Sequence, residues 1–201
     1  MIAVCDILGF TKLVKNSPLD QVVTEHLGYL KKALCRSVHQ RNLPSECPSL
    51  EELRKQERIG VTWFSDTILF YGLDDSPNSS MNVINTVGGL LFETMMTPPI
   101  RIRAGISFGE IFIDSKNEIY VGSGIIEAYQ LQQIQHCSGG ALAGSAIEHV
   151  DHNSPWLVQY DVPVKLRSKQ LALFRTLAIN WTSGFHFPGK FDLPWLTSRE
   201  E

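Results

Sequence analysis

Residues 2–11 have the sequence Ile-Ala-Val-Cys-Asp-Ile-Leu-Gly-Phe-Thr. The apolar run contains a single acid, Asp6, and it ends at Gly9. This pattern is typical of a buried strand that runs into a tight loop. Asp6 is therefore expected at the end of the first strand, beside a Gly-Phe-Thr loop.

The rest of the chain continues as a mixture of helix and strand patterns. Apolar residues at three-and-four spacing predict a helix over about 18–39. Runs at 59–64 and 67–72, joined through Ser65-Asp66, predict a hairpin with an acid at its tip. Further helices are predicted at 49–58, 81–96 and 123–135, and further strands at 101–108, 110–114, 118–121, 139–143, 156–161 and 171–179. This order predicts an α+β fold in which helices flank a central, largely antiparallel sheet.

Length and composition indicate an ordinary globular domain. The 201 residues carry a formal net charge of −3, which argues against broad binding to a nucleic-acid backbone. We expect one domain over 1–201, with its core at about 2–145 and C-terminal strands and an irregular strap at 146–201.

No apolar run approaches the roughly 20 residues that span a bilayer. The N-terminus lacks the basic segment of a signal peptide. We therefore expect a cytoplasmic protein whose cysteines (Cys5, Cys35, Cys47 and Cys137) are reduced.

Two acids stand out by their position. Asp6 ends the first strand and Asp66 lies at the hairpin tip, and neighbouring strands of one sheet can bring both carboxylates to one point. Paired carboxylates near a loop of free backbone N–H groups suit two divalent cations on a nucleoside triphosphate. From the pattern alone, two acids that merely cap turns are an equal alternative.

Four motifs in register resemble the class III nucleotidyl cyclases. Residues 6–11 resemble their first metal motif, and residues 64–70 resemble their second metal hairpin, with Ser65 where Gly is usual. Residues 101–110 are similar to the strand pair that follows, and residues 122–132 lie over the family's helix. The resemblance covers about residues 2–145 and implies the cyclase catalytic-domain fold with its ferredoxin-like core.

The resemblance also implies the site. Asp6 and Asp66, with the carbonyl of Ile7, would bind two Mg²⁺ or Mn²⁺ ions. The amides of Gly9, Phe10 and Thr11 would hold the β- and γ-phosphates. The ribose 3′-hydroxyl would attack the α-phosphate and expel pyrophosphate. Because the family places this site at a dimer interface, a homodimer is implied.

The base pocket departs from the purine-specific members. The position four residues before Asp66 is Thr62, and the position three before Gly122 is Ile119. The family carries Lys or Glu at the first position and Asp or Cys at the second. A buried purine edge without these partners would lose about 1–3 kcal/mol per unpaired group. Arg103 and Trp63 are candidates to contact a smaller base, although core packing is the commoner role of an aromatic such as Trp63.

The resemblance is closest to the divergent bacterial pyrimidine cyclases of anti-phage signalling systems, whose helix often contains Ile-Glu-Ala-Tyr-x-Leu, as residues 126–131 do here. The transition-state Asn and Arg of the family fall on Ile126 and Gln130. Gln130 can still donate a hydrogen bond, and Arg101 or Arg103 can supply a positive charge.

These observations predict a nucleotide cyclase that acts on a pyrimidine nucleoside triphosphate, with UTP preferred and CTP next, and whose product activates a separate effector. The alternative is a catalytically silent module of the same fold that binds a nucleotide or dimerises. A third, weaker alternative is an ATP-specific cyclase with an unusual base pocket.

Overall fold

The computed structural model describes residues 1–39, 48–54, 58–96 and 100–186. The strands are β1 (Ile2–Ile7), β2 (Gly60–Phe64), β3 (Thr67–Tyr71), β4 (Ile102–Ser107), β5 (Phe112–Asp114), β6 (Ile119–Val121), β7 (Gly139–Leu142), β8 (Leu157–Lys165) and β9 (Leu171–Ile179). Seven of them form one sheet in the order β2-β3-β1-β4-β7-β9-β8, and β5 and β6 form a second. Within the described ranges, β4–β7 is the one parallel pair, which confirms the predicted α+β fold with a largely antiparallel sheet.

Helices cover both faces of the large sheet. The helices are α1 (Phe10–Asn16), α2 (Leu19–Gln21), α3 (Gly28–His39), α4 (Leu50–Arg54), α5 (Pro77–Met96), α6 (Ser123–Ile134) and α7 (Gly144–Ile147). A π-helical segment at Val22–Leu27 joins α2 to α3 and completes the predicted helix over 18–39. A 3₁₀ helix, Trp181–His186, follows β9. None of the helices in the described part of the chain combines the length and the hydropathy that a membrane span needs.

Side chains along β1 alternate between two buried clusters, and this explains the central place of β1 in the sheet. Ala3 and Cys5 belong to the main core, which also contains side chains of α3 and α5. Ile2 and Val4 belong to a smaller cluster on the other face, with Ala128 of α6 and apolar residues near β5 and β6. Because both faces of β1 are covered, its near-continuous apolar sequence is the one expected of a fully buried strand.

Several element boundaries differ from the prediction. Helix α5 begins at Pro77 and not at 81, because the hydroxyl of Ser76 accepts a hydrogen bond from the amide of Ser79 and caps the first turn. The strand predicted at 110–114 is limited to β5, which pairs with β6 in the small sheet. Strand β8 extends four residues beyond the predicted end at 161. Residues 55–57 of the predicted helix 49–58, Cys47 and residues 187–201 of the predicted strap lie outside the described residues.

Helix α6 lies against β4 at Gly105. A Cβ atom at this position would come within 2.0 Å of the Ala128 carbonyl oxygen and 2.6 Å of the Gln132 amide nitrogen. Both neighbours are backbone atoms of α6, so the helix itself would have to move. Only glycine therefore permits this spacing between helix and sheet.

We predict that Gly105→Ala destabilises the protein by at least about 2 kcal/mol, because the added methyl group forces α6 away from β4. Urea unfolding followed by circular dichroism measures the free energy of unfolding. Gly144→Ala is the matched control, since nothing lies within 4 Å of its added Cβ. An equal effect of the two substitutions would contradict the contact described at Gly105.

Candidate active site

The hairpin of β2 and β3 brings Asp66 to the end of β1. Strand β3 pairs antiparallel with β1 in a register that places Asp6 opposite Thr67. The amide of Ile7 donates to the carbonyl oxygen of Asp66 at 3.2 Å. Ser65, at the hairpin turn, adopts a left-handed backbone with φ of 56°. The structure thus brings together the two acids that the sequence predicted would converge.

The environment of Asp6 disfavours its negative charge. Burial is the largest effect and raises the pKa of the Asp6 carboxyl. The Arg103 guanidinium opposes this effect, and the nearby Asp66 carboxylate adds to it, so that the pKa of Asp6 remains above its ordinary value. A pair of carboxylates held in this way attracts a cation.

Two side chains hold one oxygen of Asp6. Arg103 lies opposite Asp6 in the β1–β4 register, and its Nη2 and Nε donate to Asp6 Oδ2 at 3.1 and 3.3 Å. The side-chain amide of Gln132 on α6 donates to the same oxygen at 2.9 Å. Gln132 is only 2% exposed. The carboxylate is therefore oriented from the sheet by one side chain and from the helix by the other.

Gln132 was not among the residues predicted from the sequence. A signal for it exists, because Ala128, Leu131 and Gln132 follow the spacing of one helix face. All three are buried in the structure. A glutamine on an otherwise apolar, buried face requires a partner, and here the partner is the candidate metal ligand Asp6.

The predicted phosphate loop lies at the start of α1. Gly9 precedes the helix in a left-handed conformation with φ of 79°, and no side chain caps this turn. The Gly9 carbonyl accepts hydrogen bonds from the amides of Lys12 and Leu13. Phe10 and Thr11 are the first two residues of the helix, so their amides precede the first carbonyl that a helix offers as a partner. The backbone N–H groups of this turn are thus suited to an anionic ligand.

The base-pocket candidates lie on different elements. Thr62 is on β2, at the edge of the large sheet. Ile119 is on β6 of the small sheet and is 45% exposed. Arg103 is engaged by Asp6 as described above. The indole of Trp63 donates to the Ser65 carbonyl at 2.7 Å and packs partly against the main core, so Trp63 supports the hairpin turn.

Gln130 is on the exposed side of α6. It is two residues from Gln132, and a helix turns by about 200° over two residues. Gln132 is buried against Asp6 and Gln130 is exposed to solvent. The structure therefore does not bring Gln130 to the Asp6 carboxylate of its own chain.

The donors at the end of β1 suit a hard divalent cation. Asp6 and Asp66 supply carboxylate oxygens, and the adjacent Ile7 carbonyl is a further oxygen donor. No cluster of three or more His, Cys, Asp or Glu side chains occurs in the part of the chain that the structure describes. Phosphate oxygens and water would have to complete the coordination, as is usual for Mg²⁺ with a nucleotide.

Solved structures to which this chain is similar include cyclase domains and a cyclase-like protein. The guanylyl cyclase domain of the RhoGC fusion protein from the aquatic fungus Blastocladiella emersonii aligns with a TM-score of 0.61 at 14% identity, over 89% of this chain and 92% of that one. The adenylyl cyclase CyaB of P. aeruginosa aligns with a TM-score of 0.53 at 12% identity, over 89% and 91%. A class III adenylyl cyclase-like ATP-binding protein from Pseudomonas aeruginosa aligns with a TM-score of 0.50 at 18% identity, over 75% and 34%.

No protein-family model matches the chain, and no curated protein sequence matches it. The structural likeness shows that the chain has the fold of class III cyclase catalytic domains. The two acids predicted to bind metal lie together at the end of the first strand of that fold.

We predict that Asp6→Asn raises the melting temperature of the metal-free protein, because it removes a carboxylate whose charge the folded state disfavours. The folded-state pKa of Asp6 is raised, so its unfavourable contribution is present above that pKa and is lost as the pH falls towards the value of the unfolded chain. The same variant should lose the stabilisation that Mn²⁺ gives to the wild type.

Thermal unfolding in EDTA and in Mn²⁺, each at several pH values, measures both effects. Asp161→Asn is the matched control, because Asp161 lies in an exposed ion pair with Arg175 on the β8–β9 hairpin. A lower melting temperature of Asp6→Asn in EDTA would contradict the electrostatic description of Asp6.

Proposed function

We propose that the chain is a nucleotide cyclase, which converts a nucleoside triphosphate into its 3′,5′-cyclic monophosphate and pyrophosphate. The observation that carries the proposal is the convergence of Asp6 and Asp66 at the end of β1, in a chain with the cyclase fold. In support, the uncapped turn at Gly9, Phe10 and Thr11 lies directly after the strand that bears Asp6.

In this proposal the side chains have distinct tasks. Asp6, Asp66 and the Ile7 carbonyl would hold two Mg²⁺ or Mn²⁺ ions, which when bound lower the pKa of the ribose hydroxyl and neutralise charge on the leaving pyrophosphate. The amides of Gly9, Phe10 and Thr11 would orient the β- and γ-phosphates. Arg103 and Gln132 would keep the Asp6 carboxylate in one orientation through its Oδ2 atom. Because the carboxylate is already oriented, no free energy has to be spent on ordering it when the nucleotide binds.

We propose a pyrimidine substrate, with UTP preferred over CTP. Thr62 offers one short hydroxyl and Ile119 offers no hydrogen-bonding group, so a purine edge would lose its usual partners. A smaller base needs fewer such partners. The proposal for the base rests on these two positions and on the resemblance to pyrimidine cyclases.

We propose that the chain forms a homodimer, and the two faces of α6 support this. Gln130 is the candidate for stabilising charge in the transition state, and it is directed away from the Asp6 of its own chain. It would therefore act at the site of a second copy. Apolar side chains surround it on the exposed side of the helix: Ile126 is 59% exposed and Tyr129 47%. A partner chain that covers this face would remove that apolar surface from water.

The remaining parts of the proposal concern context. We propose that the enzyme works in the bacterial cytoplasm, and that its cyclic nucleotide activates a separate effector in a defence against phage. This part rests on the resemblance of the motifs and of residues 126–131 to the pyrimidine cyclases of such systems.

The alternative function is a silent module that binds a nucleotide without cyclising it. Three observations favour it. Ile126 and Gln130 replace the transition-state Asn and Arg of the family, and Oδ2 of Asp6 is already held by two donors. A similar fold occurs in a protein described as cyclase-like and ATP-binding. The two neighbouring metal acids disfavour this alternative, because binding a base or dimerising does not require them.

We predict that the purified protein, given ATP, GTP, CTP and UTP with Mn²⁺, forms a cyclic pyrimidine monophosphate as its main product. Mass spectrometry identifies the product. Asp66→Ala should reduce the yield by orders of magnitude, because one of the two metal carboxylates is lost. A purine product would agree with the proposed cyclase activity but would contradict the proposed base pocket. Metal-dependent nucleotide binding without any product would support the silent module.

We also predict that two inactive variants, Asp66→Ala and Gln130→Ala, complement each other. When equal amounts are mixed and allowed to exchange subunits, about half of the dimers are mixed and each has one intact site, so about a quarter of the activity returns. Mixing each variant with itself is the control. No recovery, with subunit exchange shown by native mass spectrometry, would contradict the placement of Gln130 across the interface.

A further inference from the structure

A cavity lies between the segment that follows α6 and the β8–β9 hairpin. These two parts of the chain are joined at Gln135–Val164, through an isolated bridge, and at Ala141–Ala178, the single register pair between β7 and β9. Between these points they separate and leave a cavity of about 270 Å³. A Cβ atom added at Gly139, which lines the cavity, would meet no other atom within 4 Å.

Gln135 lines this cavity and has an unpaired polar atom. Its side-chain nitrogen donates to the Gly139 carbonyl at 3.0 Å, but its Oε1 atom is buried without a hydrogen-bond partner. The residue is only 2% exposed. A buried acceptor that lacks a donor costs about 1–3 kcal/mol. Because Oε1 is itself buried, a ligand in the cavity would pair with it by turning the Gln135 side chain, and the new hydrogen bond would favour binding.

The other walls define what kind of molecule fits. Val162, Ala178 and Ile179 supply buried apolar surface, while Val158 and Tyr160 are partly exposed beside the cavity. None of the described residues that line it is charged, so no group is present to compensate a charged ligand. The volume is slightly below the roughly 300 Å³ at which the usual range of ligand pockets begins, so the molecule must be small.

We propose that this cavity binds a small, uncharged molecule with an apolar body and an N–H or O–H group that donates to Gln135 Oε1. The site is distinct from the carboxylates of Asp6 and Asp66, and the proposal does not depend on cyclase activity.

The cavity is also connected to the candidate metal site. The main-chain carbonyl of Gln135 accepts a hydrogen bond from Arg103 Nη1 at 3.3 Å. The other nitrogens of the same guanidinium hold Asp6 Oδ2. A molecule that contacts Gln135 is therefore linked to the Asp6 carboxylate through Gln135 and the Arg103 side chain.

The test uses indole and benzofuran as probes on the full chain, without nucleotide. The two molecules have nearly the same shape and neither is charged, but only indole carries an N–H donor. Binding is followed by the amide shifts of Gly139 and Gly140 in NMR spectra, and by protection of Cys137 from alkylation measured on its own peptide. We expect saturable binding of indole that is about tenfold tighter than that of benzofuran, as one hydrogen bond to a buried acceptor would give.

Two variants and a control separate the possible outcomes. Gln135→Leu should abolish the preference for indole, because it removes the acceptor. Val158→Trp, at a partly exposed position that lines the cavity, should block both probes without disturbing the core. Gln159→Trp is the matched control on the next residue of β8, which does not line the cavity, and it should leave binding unchanged.

Equal affinity for the two probes, or binding that persists in Val158→Trp, would overturn the proposal. Because no step of this test requires product formation, an inactive enzyme would not affect its outcome. A negative result here would likewise leave the proposed cyclase function intact.

Discussion

The close approach of α6 to β4 at Gly105 is the constraint on which the candidate site depends. With a glycine there, the backbone of the helix lies directly on the strand that neighbours β1. This contact sets how far the side chains of α6 must extend to reach the end of β1. Gln132 reaches Asp6 from this position, whereas Gln130 is turned outward. The same packing thus directs Gln132 to the Asp6 carboxylate of its own chain and leaves Gln130 exposed, where a second chain can contact it.

Opposing electrostatic effects meet at Asp6. Burial and the neighbouring Asp66 disfavour its charge, while Arg103 and Gln132 favour it. The result is a carboxylate that is well oriented but incompletely neutralised. Such a site gives up some folding stability in the absence of a cation, which is a common property of functional sites. Removal of either donor, Arg103 or Gln132, would leave the Asp6 carboxylate less well oriented.

The sequence predicted the architecture better than the details of the site. The convergence of Asp6 and Asp66 follows from antiparallel pairing of the first strand with the hairpin, and the apolar patterns of both elements specify that pairing. The start of α5 was placed too late because the apolar periodicity begins after its polar first turn. The Ser76-Pro77 pair, a cap followed by a good first residue, marks the true start.

The contacts of Arg103 could not be predicted, because they depend on the register between β1 and β4, which residue patterns alone do not specify. Gln132 and Gln135 could have been suspected. With Ala128 and Leu131 they follow one continuous helix-face spacing, and polar side chains on such a face must be paired or must be available to a ligand. Only the three-dimensional arrangement shows that Gln132 is paired and that the Oε1 atom of Gln135 is not.

The pairing pattern of the large sheet has a further consequence for its cooperativity. Strands β8 and β9 share nine register pairs, but β9 is joined to β7 by one. At the base of the hairpin, Trp156 packs closely over Gly88 of α5, whereas Leu171 and Leu173 at the far end are exposed. The hairpin is thus a unit that can open partially while the five strands from β2 to β7 stay folded. In native-state hydrogen exchange it would form a separate foldon, and the amides along the β7–β9 boundary would report its opening before those of the central strands exchange.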